Sequence, residues 1–163
     1  MAEKITPKFI PKLFKKDRYR VGKAICFPNA FPYDENGAVT VMTDRHFVSI
    51  GDFNHETLSD SISCCVEFLN DVSEGQPEAV YQSINWNYLP LAGSSIIHPH
   101  LQTTASTSPT NYYNDVLRSV EKYQSRDKGN IFVNLIENER KLDERFISEA
   151  ERIAWLASFS PTT

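Results

Sequence analysis

The order of apolar and polar positions divides the chain into segments of two different periods. Tyr19 to Phe27 reads as a strand, closed by Pro28-Asn29-Ala30-Phe31-Pro32, whose prolines enforce an extended or turning backbone. Asp34-Glu35-Asn36-Gly37 is a turn signal and Ala38 to Thr43 is a β-branched strand, which together predict an antiparallel hairpin. Leu58, Ile62, Cys65, Val66, Leu69 and Val72 fall at helical spacing, with Asn54 as N-cap and Gly75 as stop. They predict a helix over about 56–73. Val80 to Trp86 alternates as a half-buried strand does, Tyr88 to Ser94 is a loop, and Ser95 to Ala105 is a further strand.

Ser108-Pro109 has the chemistry of a helix start, so a second helix is expected over about 109–125. It places Tyr113, Val116, Leu117 and Val120 on one face, and Asp127-Lys128-Gly129-Asn130 breaks it. Ile131 to Asp143 is expected as a polar-faced helix and Glu144 to Phe159 as one or two strands, with the charged run Glu137 to Arg145 a solvated face and Trp86 and Trp155 core or interface bulk. These elements predict an α+β fold, a mainly antiparallel sheet with flanking helices. The apolar tail Ile153 to Pro161 has no later segment to pair with and echoes Ala24 to Pro28. It is therefore expected to be an edge strand prone to self-association, in the front half of a longer protein.

Length and composition narrow the classes. At 163 residues, with 40% apolar and 23% charged positions, the chain suits one soluble domain over 18–163 preceded by a basic arm over 1–17. That arm alternates Lys with Phe, Ile and Leu around Pro7 and Pro11, so it is expected to dock on the domain or on a partner as irregular chain. The net charge of -4 gives no general affinity for nucleic acid or anionic membrane. No apolar run reaches the roughly 18 residues of a membrane span. The odd set Cys26, Cys64 and Cys65 does not look like a disulfide framework, which points to a reducing, cytoplasmic location and to small buried hydrophobes.

Chemistry concentrates in one segment. On a strand, His98, His100 and Gln102 line one face, while Pro99 and Leu101 take the other. Upstream, Gly93-Ser94-Ser95 offers backbone N–H groups and hydroxyls that can surround an oxyanion. An imidazole nucleophile beside such a nest suits phosphoryl or nucleotidyl transfer. Spacing alone leaves two other readings open, a satisfied polar stripe and half of a metal site.

The stretch Asn87…Ala92-Gly93-Ser94-Ser95…His98-Pro99-His100-Leu101-Gln102 resembles the active-site segment of the galactose-1-phosphate uridylyltransferase family. That family is a branch of the histidine-triad superfamily in which glutamine replaces the third histidine. The resemblance extends to Phe27-Pro28-Asn29-Ala30-Phe31-Pro32, to Asp44-Arg45-His46 and to the closing Trp155 to Pro161. It implies a histidine-triad-like fold and a nucleotide sugar and a sugar phosphate as substrates, with a homodimer expected. Residue by residue, it implies that His100 attacks the α-phosphorus and holds the nucleotidyl group. Gln102 would donate to that adduct, and His98 would orient the site. Ser95 would contact the phosphates, with Ser94 and Gly93 shaping the loop. Asn87 would sit near the phosphate or ribose and Asn29 beside the base or ribose.

The better-known members of that family hold a structural zinc with two cysteines and two histidines. His46 and His98 match the histidines, but no cysteine pair is present, so a metal-free site is expected with the two rings hydrogen-bonded to each other or to their surroundings. The activity expected is uridylyl transfer between a nucleotide sugar and a hexose 1-phosphate. The alternatives are a phosphorylase or hydrolase acting on ADP-glucose or a dinucleoside polyphosphate, and a non-catalytic, truncated nucleotide-binding protein.

Overall fold

The computed structural model describes residues 8–9, 14–126 and 129–158. They form an α+β fold in two compact units, 1–109 and 110–163. The first unit holds a five-stranded antiparallel sheet in the order β1-β2-β3-β5-β4: β1 (Tyr19–Val21), β2 (Ala24–Pro28), β3 (Asn36–Val41), β4 (Tyr81–Asn85) and β5 (His100–Ser106). The segment expected as one strand over 19–27 is instead a hairpin, because Gly22 turns the chain at a φ of +52° that L side chains rarely adopt.

One face of the sheet is covered by α1 (His55–Gly75). Asn54 caps this helix, its Oδ1 accepting the Thr57 N–H at 2.8 Å. The buried stripe consists of Ser61, Cys64, Cys65, Phe68, Leu69 and Val72. Ile62 and Val66, expected on that stripe, are exposed instead. Facing the helix from the strands are Ala24, Cys26, Ala38, Thr40, Leu101, Thr103 and Ala105, all buried. Strand alternation then puts His100, Gln102 and Thr104 on the opposite face of β5, away from α1.

The described part of the basic arm, residues 8–9 and 14–17, packs on α1. Phe9 is buried and stacks on Phe68 with ring centroids 5.3 Å apart, and Phe14 and Tyr19 complete the aromatic cluster. Lys15 pairs with Asp71 and Glu74, and Lys16 with Glu67, all acids of α1. Met1 to Pro7 and Ile10 to Leu13 lie outside the described residues.

The second unit comprises α2 (Asn111–Gln124), α3 (Ile131–Leu142), β6 (Phe146–Ala150) and β7 (Ile153–Leu156). Thr110, rather than Ser108, caps α2, its hydroxyl accepting the Tyr113 N–H. β7 is an edge strand, as expected of the apolar tail, but it is not without a partner, because β6 pairs with it as an antiparallel hairpin. Trp155, expected as bulk, is 61% exposed. Nor is the run Glu137 to Arg145 wholly solvated: Glu139 is buried and receives two hydrogen bonds from Arg145, at 2.9 and 2.7 Å. Phe159 and the residues after it lie outside the described chain. Among the described residues, no helix is long and apolar enough to cross a membrane.

Candidate active site

β5 sits between β3 and β4, so its residues on the face away from α1 have neighbours on both flanks. In register, Gln102 lies opposite Val39 on β3 and Asn85 on β4, while His100 lies opposite Val41. At the start of β5 the loop from Asn87 to Pro99 folds over this face. Within it Leu89 takes a φ of +65°, unusual for a branched residue, and its carbonyl accepts the N–H groups of both Ala92 and Ser94. A 3-10 turn at Pro90–Ala92 follows and ends at Gly93, whose φ of +86° is the left-handed conformation that glycine adopts without strain.

The result is a cavity of about 260 Å³ lined by Tyr33, Asn87, Gly93, Ser94, Ser95, His100 and Gln102. Its lining groups fall into two classes. Ser94 is buried and committed to the loop, its hydroxyl donating to the Ile96 carbonyl at 2.6 Å. Asn87, Ser95 and Gln102, in contrast, make no side-chain hydrogen bond among the described residues. Polar groups presented in this way are available to a ligand with several acceptor atoms.

His100 is held in one orientation. Its Nδ1 lies 2.8 Å from the main-chain carbonyl of His98, which can only accept, so Nδ1 carries the proton and Nε2 keeps its lone pair. The ring of His98 goes elsewhere. Its Nε2 donates to the Thr43 carbonyl at 2.7 Å, and its Nδ1 lies 3.2 Å from Nδ1 of His46. Since His98 Nε2 must donate, its Nδ1 accepts and His46 Nδ1 donates. The expectation that His98, His100 and Gln102 share one cleft therefore needs correcting, for His98 does not line the cavity. The strand begins only at His100, and the two-residue alternation does not reach back through Pro99.

The two rings stand where a histidine pair could share a cation, but the rest of a zinc site is missing. All three cysteines are buried in the core, Cys26 and Cys64 beside Phe68 and Cys65 beside Leu101. Among the described residues, no three His, Cys, Asp or Glu side chains converge as metal ligands. A tetrahedral structural zinc does not fit this donor set.

Asn29 also falls outside the cavity. It lines a separate, more apolar hollow with Phe9, Phe14, Asn36 and Phe68. Tyr33 is the lining residue that the strand-and-loop argument misses. Its signal was an aromatic at the end of a proline-bounded loop.

No family model matches the sequence. The chain is 30% identical over 151 residues to an uncharacterized protein of Archaeoglobus fulgidus. The match takes in 93% of this chain and 44% of that protein, so the chain spans less than half the length of this relative. Among solved structures, a HIT family protein from Bacillus anthracis superposes with a TM-score of 0.52 and 12% identity, over 77% of this chain and 91% of that one. A histidine triad nucleotide-binding protein from Candida albicans gives a TM-score of 0.47 and 16% identity, over 77% and 90%. The chain therefore has the fold of a HIT family protein.

Proposed function

We propose that the chain transfers a nucleoside monophosphate, in the first instance a uridylyl group, between a nucleotide sugar and a hexose 1-phosphate through a covalent intermediate on His100. One observation carries this reading. An imidazole with its Nδ1 proton tied to a main-chain carbonyl, and its Nε2 lone pair free, lines a cavity beside three uncommitted polar side chains.

The chemistry follows from those groups. Nε2 attacks the α-phosphorus, an N–P bond forms, and the P–O bond to the sugar phosphate breaks. The sugar phosphate leaves with that electron pair. As the attack makes the ring cationic, the His98 carbonyl dipole already in contact with Nδ1–H stabilises it. Ser95, Asn87 and the Gln102 amide supply donors to the phosphoryl oxygens as their charge grows. A second phosphate oxygen then attacks the same phosphorus, the N–P bond breaks, and neutral imidazole returns. The likeness to a HIT family fold and the sequence resemblance to uridylyltransferases support the nucleotide as the ligand. A homodimer belongs to the same proposal.

Incubation with UDP-glucose and, separately, with ADP-glucose, followed by intact-mass measurement, tests it. The uridylyl increment with UDP-glucose is the expected result. An adenylyl increment with ADP-glucose alone would transfer the reading to the adenine-nucleotide branch, and no increment with either would leave a binding protein.

A further inference from the structure

We infer that Tyr33 is the platform on which the base of a bound nucleotide stacks, an inference that rests on the nucleotide reading above. The cavity around His100 is polar on every other side. Asn87, Ser95 and Gln102 offer hydrogen-bonding groups suited to phosphate and ribose, Ser94 is committed to the loop, and none of the four offers a flat apolar surface. Apart from the His100 imidazole, Tyr33 is the one aromatic ring among the lining residues, and it is 82% exposed. An aromatic ring left in water contributes little to the core, but it gains when a planar partner covers it.

The loop that carries Tyr33 is braced against movement. The Asn29 N–H donates to the Gly37 carbonyl at 2.9 Å, Asn29 Oδ1 accepts the Phe31 N–H at 3.0 Å, and Asp34 Oδ1 accepts the Glu35 N–H at 2.9 Å. Pro28 and Pro32 fix two further backbone angles. A ring presented on such a bracket loses little freedom when a ligand lands on it, which is the condition under which stacking yields affinity. Every base has a π-face, so a stacking platform without edge readout tolerates both uracil and adenine.

The test is calorimetric titration of UMP, AMP and ribose 5-phosphate into wild type, Tyr33→Phe, Tyr33→Leu and Tyr33→Ala, with Tm recorded for each. Because Tyr33 is exposed, all four proteins are expected to keep the wild-type Tm. Tyr33→Ala and Tyr33→Leu should weaken both nucleotides by about 5- to 150-fold, the worth of one base–aromatic stack, and Tyr33→Phe by about twofold at most. Ribose 5-phosphate, which has no base, should bind all four alike. Equal losses for ribose 5-phosphate, or a Tyr33→Phe as weak as Tyr33→Ala, would overturn the stacking role. Unchanged nucleotide affinity in Tyr33→Ala would overturn stacking alone, whereas a wild type that binds neither nucleotide would overturn the nucleotide reading with it.

Discussion

The Nδ1–H of His100 donates to the main-chain carbonyl of His98 at 2.8 Å, so the backbone two residues upstream decides which imidazole nitrogen is nucleophilic. The His98 side chain serves a different end. It ties the start of β5 to Thr43 and His46, beyond the end of β3.

This division of labour separates His98→Ala from a nucleophile variant. The substituted protein keeps the carbonyl that orients His100, so a covalent adduct should still form, with transfer slowed about tenfold by a looser strand start. His46→Ala, which removes one partly exposed hydrogen bond, should cost about 1 kcal/mol or less in stability. Because the donor set does not fit zinc, prolonged treatment with EDTA is expected to leave Tm and transfer rate unchanged. A fall in Tm on chelation would show that a metal is held after all.

Gln102→Ala should slow transfer by about 10² to 10³, the usual loss when one donor to a developing oxyanion is removed. Ser94→Ala should act on stability instead, because its hydroxyl is spent on the Ile96 carbonyl rather than offered to the cavity. Steady-state rates and thermal melts on both variants check the contrast. The account fails here if Ser94→Ala loses rate at unchanged Tm while Gln102→Ala keeps its rate.

The cysteines predict an alkaline limit. Burial pushes the Cys64 thiol up to about 12 from its ordinary 9.0, and burial raises Cys26 and Cys65 in the same direction. Unfolded thiols start to lose protons near pH 9 while the folded ones keep theirs. The stabilisation is therefore complete below about pH 8 and falls as pH rises through 9 toward 12. Melting curves between about pH 7 and about pH 10.5 should show a flat Tm followed by a decline, and Cys64→Ala should shallow that decline.

Much of this arrangement was legible in the chain, and the gaps have physical causes. Asn54 and the apolar spacing after it mark α1 because cap and period are local signals, although the helix runs through Gly75, expected as its stop, to a C-cap at Gln76. The grouping of His100 and Gln102 follows from strand alternation, and that of Gly93 and Ser95 from small-residue turn chemistry. The position of His98 did not follow, because alternation holds only inside a strand and Pro99 stands before the first ladder residue. On α1, apolar residues occupy two overlapping stripes, and only the sheet decides that Cys64 and Phe68 go in while Ile62 and Val66 stay out. The burial of Glu139 depends on Arg145, six residues away across a helix end, which no periodicity encodes. Tyr33 comes to the cavity on a loop held by its own hydrogen bonds between residues 29 and 37, which no helix or strand period encodes.

The central claim is that His100 forms the covalent bond, and label retention tests it most directly. Wild type, His98→Ala, Gln102→Ala and His100→Ala are incubated with a nucleotide sugar radiolabelled in its α-phosphate, denatured, and counted. Wild type should hold acid-labile label, the first two variants should hold it at lower or slower yield, and His100→Ala should hold none. Wild-type levels of label on denatured His100→Ala would contradict the account.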